Sequence, residues 1–236
     1  MLPIRDINPS PRRTFPVVNV ILIALNVLVF LFELSLGPRL EGFLMAAAFV
    51  PARAWSGTGG GVVPEATSAL LSMFLHGGWA HLLGNMLFLY IFGDNVEDRL
   101  GHLRYLIFYL LCGYASTFAH AFFNAASVMP AIGASGAISG VLGAYLVLFP
   151  RARIVTLVWL FIFVRFVEIP VLVYLPLWFL MQFFSGVSSL HAANPDAAGG
   201  VAWFAHIGGF IAGPVLLFLL GGFRRPPEPR RYPSPW

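Results

Sequence analysis

Apolar residues in this chain run together rather than alternating with polar ones. Mainly apolar runs occupy 17–36, 80–93, 104–124, 135–149 and 202–221, and most charged residues lie between them. Such runs predict helices that are apolar all round, because only a helix satisfies its own backbone groups where water is absent. A longer region, 154–190, carries Arg165, Glu168, Pro170 and Pro176 in its middle. It divides into an interfacial segment over 154–168 and a fifth span over 170–189. The expected fold is an all-α, six-transmembrane-helix bundle over 17–221, with cytoplasmic segments at 1–16 and 222–236.

Arginine placement supports that division. With six spans, one face carries Arg5, Arg12, Arg13, Arg99, Arg104, Arg151, Arg153, Arg165, Arg224, Arg225, Arg230 and Arg231, and the other only Arg39 and Arg53. Positive residues gather on the cytoplasmic side of membrane proteins, so both termini are expected there. A seventh span would move the C-terminal arginines across and weaken the bias. The outer connections become 37–78, 125–133 and 190–201. The first includes the flexible run Gly57–Gly61 and is expected partly in the interface; the Pro- and Arg-rich tail from Arg224 has no apolar periodicity and is expected to be disordered. No internal repeat is evident, which argues against an inverted-repeat transporter.

Composition agrees. Hydrophobic residues make up 58% and charged residues 10% of the 236, too little polar surface for a water-soluble domain. The net charge of +4 sits in short Arg runs beside apolar segments, a topogenic pattern that gives no solvated basic face for nucleic acid. The single cysteine, Cys112, lies within an apolar run and forms no intrachain disulfide. The apolar stretch Phe15–Leu36 exceeds the roughly 7 to 15 residues of a signal-peptide core and is taken as a retained first span. The short N-terminus, without a transit peptide, leads us to expect a bacterial cytoplasmic membrane.

Three segments carry candidate chemistry. Gly133-Ala134-Ser135-Gly136-Ala137-Ile138-Ser139-Gly140 opens span four, where free helix N–H groups favour a developing oxyanion beside the Ser135 hydroxyl. The alternative is a packing seam of Gly136 and Gly140. Ala205-His206-Ile207-Gly208-Gly209 opens span six, and an ionisable group inside a span is a functional candidate unless it merely bonds a backbone carbonyl. Small residues on both spans would let His206 reach Ser135. In the third segment His76 precedes His81 and Asn85, which are four apart on one helical face and suit an oxyanion hole. A zinc site of His76, His81 and His206 lacks an HExxH pair and a nearby carboxylate base. Spans two, four and six all start on the outer face, so His81, Asn85, Ser135 and His206 converge at similar depth.

The pattern of His76, His81 and Asn85, the GASG of 133–136, the AHIGG of 205–209 and Glu97-Asp98-Arg99-Leu100-Gly101 together resemble the rhomboid family of intramembrane serine proteases. The resemblance covers spans one to six. It implies Ser135 as nucleophile, His206 as general base, His81 and Asn85 as oxyanion donors, and His76 and Gly133 in support. It implies no cofactor and no metal; the partners are the bilayer and single-span membrane protein substrates. Bacterial members often carry a Tyr four residues after the nucleophile that packs on the catalytic His; here that residue is Ser139, leaving open what holds the ring. Many also have a Trp-Arg pair in the first outer loop, to which Arg53-Ala54-Trp55 is not mapped. No acid is placed to orient His206, since Asp94, Glu97 and Asp98 lie at the cytoplasmic end of span two. The alternative function is a non-catalytic rhomboid-like protein that binds membrane clients; loss of Ser135 or His206 would mark it, and both are present.

Overall fold

The computed structural model describes residues 2–7, 14–56, 63–160, 163–190 and 202–223. The Gly57–Gly61 run, the connection 191–201 and the tail from Arg224 lie outside the described residues. A strand β1 (Leu2–Ile7) precedes α1 (Val17–Ser35); three short helices follow, α2 (Leu40–Ala47), α3 (Pro51–Trp55) and α4 (Glu65–Ser72). Helix α5 (Trp79–Phe88) continues through a π-helical stretch, Leu89–Gly93, into α6 (Asp94–Leu100). Next come α7 (His102–Phe123), α8 (Ser135–Leu148), strands β2 (Arg153–Leu160) and β3 (Phe163–Pro170), α9 (Val171–Leu190) and α10 (Trp203–Leu219). The helical runs read from apolar periodicity agree with these boundaries to within a few residues. Helices α1 and α7 are each long and apolar enough to cross a membrane; α8, α10 and the Val171–Phe184 part of α9 are apolar but shorter.

Helix α1 is inside out by the standards of a soluble protein. Its buried stripe is Asn19, Leu22, Asn26, Phe30 and Glu33, whereas Ile21, Leu25, Leu28, Leu31 and Phe32 are exposed. An apolar outer face with polar residues turned inward suits a hydrocarbon solvent, in which interior polar groups bond one another. Glu97 does this at one end. Buried on α6, it accepts the N–H groups of Val18 (3.0 Å) and Asn19 (2.7 Å), donors that α1 cannot satisfy itself. The Glu97 carboxylate also meets His102 Nδ1 at 2.5 Å, and Asp98 accepts the Thr14 backbone N–H and hydroxyl, both at 2.8 Å. Asn19 donates to the Leu89 carbonyl (3.0 Å) where the π-helical stretch begins and accepts from the Tyr105 hydroxyl (2.8 Å). A Cβ on Gly93 would overlap both side chains, so that crossing requires glycine.

Helix α8 forms the centre. Every residue from Gly136 to Tyr145 is buried, so it is enclosed on all sides by its neighbours. Helix α10 packs against it at backbone distance: a Cβ on Gly209 would overlap the Gly136 carbonyl, and one on Gly213 the Gly140 carbonyl. The small residues expected to bring these two helices together therefore do so.

The all-α expectation needs one correction. The strands form an antiparallel sheet in the order β1-β2-β3, with Leu2 opposite Leu157, Ile7 opposite Arg153, and Arg153 to Leu160 paired with Pro170 to Phe163. The segment expected to lie in the interface, 154–168, is thus largely the two paired strands β2 and β3, and Leu2–Ile7 adds a third strand. The fold is mostly helical with this small sheet. The physical reason lies in Ile154-Val155-Thr156 and Val164-Arg165-Phe166-Val167, whose β-branched and aromatic side chains favour a pleated surface. Ile154 and Thr156 are buried while Arg153 is exposed, the period-two pattern of a half-covered sheet.

Asp6 ties β1 to the helices: its carboxylate accepts from the Tyr145 hydroxyl (2.5 Å) and from Asn95 Nδ2 (3.2 Å). Burial pushes the Asp6 carboxyl above the ordinary carboxylate range, and the hydrogen bonds only partly offset it. A carboxyl whose folded pKa is raised contributes stability present below the ordinary value, near about 4, and lost as pH rises through the shifted one. Asp6→Asn, which keeps the acceptor without the charge, is therefore expected to melt above the wild type at pH 8, the gap closing toward pH 4; Asp6→Ala is expected to melt lower at both. Thermal unfolding in detergent checks this, and a wild type more stable than Asp6→Asn at pH 8 would refute it.

Candidate active site

The segment before α8 is pinned before the helix starts. Gly133 donates its N–H to the Ser72 carbonyl (2.8 Å), Ser72 Oγ accepts the Phe49 N–H (2.8 Å), and Phe49 and Ala131 form a β-bridge. Gly133 has φ +124°, a left-handed conformation, and a Cβ there would lie 2.7 Å from His81 Cε1 and Nε2. Glycine thus satisfies two conditions at once. It turns the chain into α8 and lets the His81 ring lie against the backbone beside Ser135. Arg53 and Trp55 have structural partners at the same end of the bundle: Arg53 Nε donates to Glu65 (2.8 Å), and Trp55 Nε1 donates to the Ala121 carbonyl on α7 (2.9 Å).

Ser135 is the first residue of α8, where N–H groups lack intrahelical acceptors. His206 occupies the first turn of α10, and its Nε2 lies 2.7 Å from Ser135 Oγ. Its Nδ1 lies 2.7 Å from Gln182 Oε1 on α9. The Trp178 ring, one turn earlier on α9, is tilted 35° to the imidazole with centroids 6.0 Å apart, and Trp203 meets it edge-on at 6.2 Å. Ser139 does not replace a ring on His206; its hydroxyl donates to the Ser135 carbonyl (2.6 Å).

His81 and Asn85 lie where their spacing predicts, on one face of α5. His81 Nδ1 accepts the Gly77 N–H at 3.4 Å, so the neutral ring carries its proton on Nε2, the nitrogen facing Gly133. Asn85 Nδ2 donates to His76 Nε2 at 3.0 Å, while His76 Nδ1 donates to the Phe74 carbonyl at 3.2 Å. The His76 backbone N–H in turn donates to the Glu33 carboxylate at 3.2 Å. His76 is buried behind Asn85 and fixes its amide plane; the amide retains a second N–H.

His81, Asn85, His120, Ser135, Trp178 and His206 line one cavity of about 1080 Å³. The structure therefore brings Ser135, His206, His81 and Asn85 together, with Gly133 adjoining and His76 in the layer behind. Among the described residues, no three His, Cys, Asp or Glu side chains are grouped as metal ligands. The Ser135–His206 pair can carry proton transfer between a hydroxyl and an imidazole, while His81, Asn85 and the start of α8 present donors around the same space.

Sequence reasoning missed Gln182 and Trp178. Asn85 and Ser135 stand in motifs beside histidine and glycine, whereas Gln182 is a lone amide four residues after Trp178 in an apolar run with no such motif around it. That i, i+4 spacing was the available clue.

A family model described as Rhomboid domain matches residues 63–223. RHOMBOID-like protein 1 of Arabidopsis thaliana is 31% identical over 170 residues, covering 69% of this chain and 38% of that protein. Rhomboid protein 1, mitochondrial, of Saccharomyces cerevisiae is 35% identical over 100 residues, 41% of this chain and 29% of its own. Rhomboid protease GluP of Bacillus subtilis is 44% identical over 77 residues, 33% of this chain and 15% of its own. The matches span well under half the length of these relatives.

Proposed function

This chain belongs to the rhomboid family, whose members are embedded in membranes, and on that premise we propose that it is an intramembrane serine endopeptidase. The observation that carries this reading is the 2.7 Å contact between Ser135 Oγ and His206 Nε2 at a cavity also lined by His81 and Asn85. Ser135 Oγ attacks the scissile carbonyl as His206 Nε2 takes its proton. His81, Asn85 and the Ser135 backbone N–H hold the oxyanion, and His206 then gives the proton to the leaving amine. Water, activated by the same imidazole, releases the acyl group from Ser135. The chemistry needs neither cofactor nor metal.

The substrate in this reading is a single-span membrane protein whose helix unwinds locally at small or helix-breaking residues, because a helical peptide bond is shielded by its own hydrogen bonds. Six segments cross the bilayer: α1, the α5 to α6 rod, α7, α8, α9 and α10. At 14 residues α8 rises only about 21 Å, less than the roughly 30 Å hydrocarbon core, so Ser135 sits below the outer surface within reach of water. The sheet then lies on the Arg-rich face with both termini, the cytoplasmic side in a bacterial membrane. A C-terminal reporter fusion is expected to be active only on that side, and activity solely on the opposite side would remove the six-span arrangement.

Ser135→Ala and His206→Ala are each expected to abolish cleavage of a model single-span substrate while leaving expression and melting in detergent nearly unchanged. Wild-type turnover by Ser135→Ala would eliminate the serine mechanism, and activity lost to EDTA would revive a metal one. His81→Ala and Asn85→Ala are expected to lower kcat by about a hundredfold or more, the cost of an oxyanion donor, with smaller changes in KM. If either residue only bridges helices, its loss reduces stability by about 0.6 to 2 kcal/mol and spares kcat. Kinetics and unfolding on the same purified variant separate the two roles.

A further inference from the structure

The imidazole of His206 is held from three directions. Its Nε2 meets Ser135 Oγ and its Nδ1 meets Gln182 Oε1, both at 2.7 Å, and Trp178 covers the ring at 6.0 Å between centroids. Two of these constraints come from one face of α9, since residues 178 and 182 are one turn apart. Among the described residues no carboxylate is paired with His206, so the position that a serine hydrolase triad gives to an acid is filled here by a neutral amide.

We propose that Gln182 is the positioning residue that fixes the reactive tautomer of His206. The proposal rests on the reading of Ser135 and His206 as nucleophile and base. For Nε2 to accept the Ser135 proton, the single proton of the neutral ring must reside on Nδ1. An amide oxygen can only accept, so Gln182 Oε1 opposite Nδ1 requires that proton and leaves the Nε2 lone pair facing the hydroxyl. When His206 becomes an imidazolium, its Nδ1–H keeps the same acceptor and the ring need not turn to pass the proton to the leaving amine. Trp178 supplies the complementary restraint by limiting tilt about the plane that Gln182 and Ser135 define. This answers, from α9, what holds the ring when Ser139 stands in α8 where a tyrosine is often found.

An amide differs from a carboxylate in carrying no charge. It orients the imidazole without stabilising the imidazolium by charge attraction, which leaves the base able to release its proton readily in an apolar setting. Substituting a carboxylate should therefore preserve orientation and change titration. Among the described residues, the other titratable groups facing His206 are His81 on α5 and His120 on α7, and Ser135 and Ser139 are the polar side chains α8 brings nearby. Both histidines are common to every variant below, so a difference between variants comes from position 182.

The experiment measures kcat, KM and the pH profile of kcat/KM for the full chain in detergent, using a model single-span substrate, with melting temperatures in parallel. Gln182→Leu is expected to lower kcat by roughly ten- to a hundredfold, as loss of a half-buried hydrogen-bond acceptor does, with KM within about twofold. Gln182→Glu is expected to recover kcat at high pH and to move the acid limb up by about one pH unit or more, because a carboxylate beside Nδ1 favours the imidazolium. A helix-packing role would instead lower the melting temperature of Gln182→Leu and spare its kcat. Wild-type kcat in Gln182→Leu, a raised KM with unchanged kcat, or an unmoved acid limb in Gln182→Glu would each overturn the proposal. Should Gln182→Leu fail to fold, Gln182→Met, which keeps the length of the side chain without the amide oxygen, takes its place with the same expected loss of kcat, and wild-type kcat there would overturn the proposal. Failure of the underlying reading is distinguishable: there Ser135→Ala keeps wild-type turnover, whereas failure of this proposal alone leaves Ser135→Ala inactive and the Gln182 variants normal.

Discussion

Helices α8 and α10 touch through their backbones, Gly209 against the Gly136 carbonyl and Gly213 against the Gly140 carbonyl. A side chain at Gly209 or Gly213 would hold the two axes apart, and one at Gly136 or Gly140 would collide with Ser116 or Cys112 of α7; a separation of even an ångström between α8 and α10 would exceed what the Ser135–His206 hydrogen bond tolerates. Seam and site therefore use the same segments: Gly136 follows Ser135 directly, and Gly209 lies three residues after His206. The packing alternative for the glycines and the chemical reading of Ser135 and His206 are thus two aspects of one contact.

Around that contact the chain solves a second problem, the burial of polar groups away from water. Glu97 takes up the orphan donors of α1, Asn19 joins the π-helical stretch to Tyr105, and Glu33 receives the backbone of His76. Each removes an unsatisfied group that would cost several kcal/mol in hydrocarbon. The last of these reaches the site, since the segment that Glu33 holds carries His76, and His76 holds Asn85. Acids that the sequence places far from Ser135 thus have work at the ends of α1, one of them capping its start and another steadying the entry to α5.

Features with a strong local signal were legible in the sequence. Long apolar runs gave the helices nearly to their ends, and a serine and a histidine beside glycines four apart marked the helices that meet. The sheet was hidden because a short run of apolar residues fits a strand, a buried helix or an interfacial segment equally well, and its partner β1 lies some 150 residues away in the chain, a pairing no local pattern reveals. Gln182 was hidden for another reason. An amide inside a span is uncharged, and its meaning depends on which face of α9 turns toward His206, a tertiary fact. His76 was visible in the motif, but its place behind Asn85 follows from a turn whose geometry the sequence does not state.

In the proposed reaction Ser135 is a nucleophile activated by His206. Intact-mass spectrometry and peptide mapping after treating the folded chain in detergent with a fluorophosphonate test it directly. The account predicts one covalent adduct on Ser135, strongly reduced in His206→Ala and absent in Ser135→Ala. A folded wild type that takes up no adduct, or an adduct that persists in Ser135→Ala, would contradict it.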